Sequence, residues 1–578
     1  MSEWKSQKSN RDWVARPEVL RRTWRTVKGQ EARPSEYLRA CHPRSCARQL
    51  LTLTAVLVSG VVISSFARAD EVHTNGTGGG AWSDPESWRK KKVPGPDDEA
   101  IIARGDVIVF DRNDDGKVTC KQLSIDPRGG LTFKRGGGKI TMVVGGMIES
   151  FGTIKMQAND KADDLFELRL QAEKLEQRQL KLQKGGALLV YGRALKPNVI
   201  LSSTVPKAKD PKLPPLDPTG GIDTTDGGVM LDLKHAVIVD IEVRARTIDN
   251  TGAKPNERVN VVGCQFRERG RVYVLGCDTA LVADNDFDSG KHNLPYAAIT
   301  LYGSPLAEVK NNKIKGMYSS GISGTAQTDS VVANNTIEKC SSGIYWYGTN
   351  GMLKQCTIRD CSVGVILTSA SGVVEDIVCE NCVTGYHHGG ATTQLNNFQF
   401  KNPPKNNKDV TPVLFGSGPL TMVNCAFSIK DVKLPAKFEP TVNKDGPPPP
   451  QIETMQYLVL GVKGKVPAGV QAHVRTTKPA VALPAGAVDL NIRNTPARFF
   501  KDLTPLPRSL EPIILKAWSV DHLGRYAAAP EYAVSIVEPA AKEGMPGRVL
   551  RTVTVTPAET WARPVPNELK ATVEVTLP

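Results

Sequence analysis

Three things are missing from these 578 residues, and each narrows what the chain can be. The L-x-x-L-x-L spacing of a leucine-rich repeat is absent, although a period of about twenty residues is present, so that solenoid is set aside. A strong charge on the body of the chain is absent too. The formal balance is +14, but 8 of it sits in residues 1–69, where 13 Lys and Arg face 5 Asp and Glu. The remaining +6 gives no nucleic-acid footprint, and it is compatible with an acidic polysaccharide without requiring one. An even cysteine set is the third absence. Of eleven, Cys41 and Cys46 fall in residues 1–69, and the nine that remain cannot all pair within the chain.

What is present is a row of charges that alternate in sign. They are Arg267, Asp288, Lys315, Glu338, Arg359, Glu380 and Lys401, at steps of 21, 27, 23, 21, 21 and 21. Each follows an apolar residue: Phe266, Phe287, Ile314, Ile337, Ile358, Cys379 and Phe400. Strand side chains alternate faces, so the apolar residue points in and its neighbour out. Turns stacked at strand spacing would pile like charges together unless the signs alternate. The row therefore predicts a parallel β-helix. Two residues before the apolar column stand Asn285, Asn312 and Asn335, which predict an inward asparagine stack at a corner. Gly321, Gly343, Gly364 and Gly385 form another column, read as a corner that needs unusual φ/ψ. Cys340, Cys361 and Cys382 form a third. Cys356-x4-Cys361 and Cys379-x2-Cys382 have the look of a zinc site, but the register explains all five cysteines better as small buried hydrophobes, and stacked pairs of one column could form disulfides after export.

Residues 1–49 are basic and polar, the run Leu50 to Phe66 is apolar, and Ala67-Arg68-Ala69 follows. That pattern reads as a secretory signal cleaved after Ala69, with an uncleaved anchor as the alternative and the only expected membrane contact. Either way the rest is expected to be exported: secreted, periplasmic or at the cell surface. Residues 70–205 hold short alternating strands broken by glycines. Within them, Phe166, Leu168 and Leu170 alternate as a strand would, but the Glu, Lys, Gln and Leu that follow favour a helix, so 159–184 reads as an insertion. Trp82 and Trp88 read as core packing rather than sugar platforms.

Several features of this region resemble the eight-glycine domain family found in cell-migration-inducing hyaluronidase and fibrocystin. They are Trp82-Ser83-Asp84-Pro85, Trp88, Val93-Pro94, Asp98, the pairs Gly129-Gly130 and Gly145-Gly146, and Gly185 to Gly192. Lys92 stands where that family usually has glycine. The resemblance covers about 120 residues. It implies an extracellular, carbohydrate-facing role and a junction to β-helix repeats. Residues 206–228 read as a linker, 229–435 as the β-helix and 436–454 as a Pro-rich spacer. Residues 455–540 are similar to a fibronectin-III-like β-sandwich, and 541–578 hold further strands. The expected fold class is all-β: a right-handed parallel β-helix between an eight-glycine-like N-terminal β domain and a C-terminal β-sandwich.

By analogy with β-helix enzymes, the strand after each column glycine is the ligand-facing one. Alternation turns Tyr302, Tyr345, Tyr347 and His387 outward on it, a strip suited to sugar rings. The same outward positions lack the two acids a glycosidase needs and the acid cluster of a calcium-dependent lyase, leaving loop acids such as Asp278 and Asp329 as the remaining source. Asp111, Asn113 and Asp115, in D-R-N-D-D-G-K-V, are a weak calcium candidate, since Gln122 replaces the bidentate Glu at the twelfth position. The expected function is recognition of an extracellular polysaccharide, with or without cleavage. The alternatives are a non-catalytic surface scaffold or adhesion protein and a pectate-lyase-like enzyme.

Overall fold

The computed structural model describes residues 70–435 with short interruptions, the longest being 205–217 and 247–257. Beyond them it describes the strands Ile452–Lys463, Gln471–Lys478, Ile513–Val520, Tyr526–Ala527, Glu531–Glu538, Arg548–Val555 and Leu569–Glu574. The expected signal segment, 1–69, lies outside the described residues.

Each turn of the chain contributes three short strands, as in Ser330–Ala333, Thr336–Glu338 and Ser342–Tyr347. Each strand pairs in parallel with its equivalent one turn on, so three ladders rise side by side. Sheet 1 climbs from Gly79–Ala81 to Ile452–Lys463, sheet 2 from Lys139–Val144 to Gln399–Lys401, and sheet 3 from Glu71–His73 to Val432–Lys433. The result is a right-handed parallel β-solenoid, and almost no helix is present among the described residues.

The charged row superimposes as its spacing predicts. Arg267 pairs with Asp288, Asp288 with Lys315, Lys315 with Glu338, Glu338 with Arg359, Arg359 with Glu380, and Glu380 with Lys401. Arg359 bridges Glu338 at 3.3 Å and Glu380 at 3.0 Å. Arg267 instead reaches Asp286, at 2.7 Å. Exposed pairs of this kind contribute about 0–1 kcal/mol each, so the row reports register more than it stabilises. Stability comes from behind it. Phe266, Phe287, Ile314, Ile337, Ile358 and Cys379 are buried in one column, with Phe266 and Phe287 stacked at 4.3 Å. Each large member contributes about 1.5–3 kcal/mol of apolar burial.

The corner between sheets 1 and 2 is built from two residues. The first takes left-handed φ: 57° at Asp284, 58° at Asn311 and 57° at Asn334. Asn and Asp tolerate that region best among residues with a Cβ. The second is the expected stack. Asn285 Nδ2 donates to Asn312 Oδ1 at 2.9 Å, and Asn312 Nδ2 donates to Asn335 Oδ1 at 2.9 Å. A primary amide both donates and accepts, so one residue type can run the length of a buried corner.

The glycine column has a different cause from the one expected. Gly321, Gly343, Gly364 and Gly385 are not among the residues with positive φ. They are glycine because the chain has no room. A Cβ on Gly343 would lie 2.5 Å from Ile358 Cγ2 and from the Gly364 carbonyl oxygen, and one on Gly364 would lie 2.3 Å from Cys379 Sγ.

Residues 70–205 join the same ladders. Glu99–Ile102 stacks on Glu71–His73, and Val199–Thr204 passes the ladder on to Val237–Val239 across the expected linker. Gly129, Gly146 and Gly186 sit where a Cβ would meet backbone oxygens at 2.9, 2.7 and 2.5 Å, so the glycine pairs are close-packed corners. Trp82 and Trp88 are buried at 4.9 Å, and Phe110, Phe133 and Phe166 continue the aromatic column upward. The helical tendency after 170 does not prevail in the described part of 159–184. Leu165–Gln171 and Gln179–Leu182 are strands, because Phe166, Leu168 and Leu170 bury between Ile140 to Val144 and Val199 to Ser203. At the other end Ile452 already lies on sheet 1, inside the expected spacer. Ile513–Val520 and Tyr526–Ala527 pair antiparallel beside it, and Gln471–Lys478, Glu531–Glu538 and Arg548–Val555 form a separate antiparallel sheet.

Candidate functional site

The outer face of sheet 3 carries the four expected residues in two neighbouring columns. One column runs Tyr273, Thr300, Ser323, Tyr345, Ile366, His387. The other runs Leu275, Tyr302, Thr325, Tyr347, Thr368. Tyr302 and Tyr347 are two rungs apart, as are Tyr345 and His387, a separation of about 9.6 Å at strand spacing. The first pair is well exposed and the second half-buried. Thr325 stands between Tyr302 and Tyr347, and Ile366 between Tyr345 and His387. Behind this face Ile344, Trp346, Val365, Leu367 and His388 are buried, as alternation requires.

Burial acts on both histidines. Partial burial lowers the His387 imidazole below its ordinary value. Complete enclosure pushes His388 down to about 4. His388 Nδ1 meets the Tyr386 hydroxyl at 3.0 Å and its ring stacks on Phe415 at 5.4 Å. It is a core residue, whereas His387 faces outward.

Below the strip the same face turns ionic, which the sequence reading did not anticipate. Asp223, Arg244 and Tyr273 continue the first column downward, and Arg246 sits beneath Leu275 in the second. Arg246 grips Asp223 with both guanidinium arms at 2.8 Å, and Arg244 and Arg271 share Glu242 at 2.9 Å. The Arg271 guanidinium lies 3.8 Å from the centre of the Tyr296 ring. The missed signal was R-V-Y-V-L at Arg271–Leu275. It alternates like the later strands but precedes the first column glycine. These acids do not form a free carboxylate pair, since each is held by an arginine fork.

Of the two loop acids named from the sequence, only Asp329 is among the described residues, and Asp278 lies outside them. Asp329 lines a groove of about 480 Å³ on sheet 1, with Arg258, Asn260, Leu281, Leu306 and Glu308. The calcium candidate divides its oxygens among separate partners. Asp111 accepts from Ser83 N–H at 3.1 Å and Ser83 Oγ at 2.7 Å, and Asn113 accepts from Asp115 N–H at 3.3 Å. Asp115 is paired with Lys139 and Arg169, which hold its carboxyl below the usual range. Among the described residues no group of three or more His, Cys, Asp or Glu could hold a metal ion. All nine described cysteines are buried, and none of them is in a disulfide. No helix among the described residues is long and apolar enough to cross a membrane.

A family profile described as a right-handed β-helix region matches residues 248–427, the part of the chain that holds the aromatic strip. Neither a curated protein nor a solved structure matches the chain significantly.

Proposed function

We propose that the chain recognises an extended polysaccharide along the outer face of sheet 3, in an exported setting. One observation carries the reading: two adjacent columns of a single parallel sheet bring Tyr302, Tyr345, Tyr347 and His387 to one surface, with ring-to-ring steps of two rungs. Aromatic faces bury the apolar faces of pyranose rings, while the phenol hydroxyls meet their polar edges. A rigid solenoid suits a polymer ligand, because every rung repeats the same presentation. The reading is of binding rather than cleavage, because the carboxylates next to the strip on this face, Asp223 and Glu242, are each held by arginine.

A glycan array, followed by pull-down on the polymers that score, tests this. The wild-type protein retains a defined glycan, and the Tyr345→Ala/Tyr347→Ala variant loses it. Binding that survives the double substitution overturns the strip. Incubation with hyaluronan, pectin and alginate separates a binder, which leaves polymer size unchanged, from an enzyme, which reduces it.

A further inference from the structure

Cys340, Cys361 and Cys382 each stand two residues beyond Glu338, Arg359 and Glu380, which pair rung to rung. The Cα atoms of the three cysteines therefore stack one per turn at about 4.8 Å. That spacing falls within the Cα separations a disulfide spans, about 4.4–6.8 Å. They sit just inside exposed corners at Lys339, Asp360 and Asn381, whose φ values are 60°, 54° and 52°. Their poses repeat. Each sulfur lies against the carbonyl two residues back: 3.7 Å to Glu338, 3.3 Å to Arg359 and 3.5 Å to Glu380. Cys361 interacts with both neighbours, and those thiols, with burial, push its own thiol up. The neighbouring Cys361 and Cys379 side chains hold the Cys382 thiol below its ordinary value. The middle sulfur thus has two near-equivalent partners and can join only one.

We propose that this column is an oxidation site for a small disulfide such as glutathione disulfide, which converts it to one intramolecular disulfide containing Cys361. A column thiolate attacks glutathione disulfide, breaks its S–S bond and releases one glutathione. The neighbouring thiolate then attacks the protein sulfur of the mixed disulfide and releases the second. Two protein thiols lose two electrons and two protons, and one glutathione disulfide becomes two glutathione thiols. The cross-link ties together rungs that carry the aromatic strip, since Cys340 precedes Tyr345, and Cys382 precedes His387, by five residues. The inference is independent of what the strip binds.

The test uses the full chain in two arms: folded protein incubated with glutathione disulfide, and protein refolded from urea in the same buffer. Free thiols are alkylated. Linked peptides are then mapped by mass spectrometry after digestion with trypsin and a glutamyl endoprotease. The expected product links Cys361 to Cys340 or to Cys382, never both in one molecule, and it melts at higher temperature than the reduced protein. Cys361→Ala and Cys361→Ser each abolish a link within the column. If the column thiols stay free in both arms, or if Cys340 and Cys382 link without Cys361, the proposal is overturned.

Discussion

Removing one amide from the asparagine stack should loosen a specific corner. Asn312→Ala deletes four hydrogen bonds. Asn312 Oδ1 accepts from the backbone N–H and the Nδ2 of Asn285, at 3.1 and 2.9 Å, and Asn312 Nδ2 donates to the Val282 carbonyl at 3.0 Å and to Asn335 Oδ1 at 2.9 Å. Two of the partners keep other bonds. Asn285 Nδ2 still reaches the Val261 carbonyl, and Asn335 Oδ1 still receives the backbone N–H of residue 312. The Asn285 backbone N–H is left without its acceptor in a residue only 1% exposed. An orphaned buried donor costs about 1–3 kcal/mol, and the remaining lost bonds add a share of about 1 kcal/mol each, so a total of about 2–5 kcal/mol is expected. Solenoid turns contact only their neighbours, so the loss stays near rungs 285–335. Amide hydrogen exchange followed by fragmentation reads it directly. At about 1.36 kcal/mol per tenfold change, the Asn285 amide should exchange at least ~30-fold faster, while amides near Ile148 are unchanged. Exchange at Asn285 within twofold of wild type would refute the stack as a stabilising element.

Other substitutions separate the terms. Gly343→Ala drives a methyl into Ile358 and the Gly364 carbonyl and should lower stability by about 1–3 kcal/mol in urea denaturation. Lys315→Ala, on the exposed charged row, should change stability in the same assay by no more than about 1 kcal/mol. Asp240→Ala leaves Arg269, whose side chain is 11% exposed, without the carboxylate that its Nε and Nη2 grip at 2.7 and 2.6 Å, a loss of about 3–5 kcal/mol. His388 makes stability depend on pH. Its folded value near 4 lies below the unfolded value near 6.5, so the unfolded chain takes up the proton first. The contribution is complete above pH 6.5 and drains away as pH falls toward 4, by about 3 kcal/mol in all. Urea midpoints between pH 7 and 4.5 should fall for wild type and flatten for His388→Phe.

The middle of the fold was legible because its turns are nearly equal in length. From Ile337 to Phe400 the step is a constant 21, so inward, outward and corner positions could be read as columns. The N-terminal turns defeat that reading. Sheet 3 partners there are separated by 28 residues at Glu71 and Glu99 and by 23 at Glu99 and Gln122, so their solenoid character lies in pairing rather than period. Local propensity misled at 170–184, where Gln179 and Lys181 occupy outward strand positions and Leu180 and Leu182 the buried face. The glycine column was found but misexplained, because sequence cannot separate a glycine that needs positive φ from one pressed against its neighbour. For the strip, alternation was sufficient. Tyr345 out and Trp346 in follow from the pleat alone. The arginine forks below it were missed because Asp223 and Arg246 meet only across rungs.

The most direct test of the central claim is a crystal structure of the protein soaked with the glycan that the array identifies. The sugar rings should lie against Tyr345 and Tyr347 and run along sheet 3 past Tyr302 or His387. A glycan ordered on sheet 1 or sheet 2, with the tyrosine faces bare, would contradict the account.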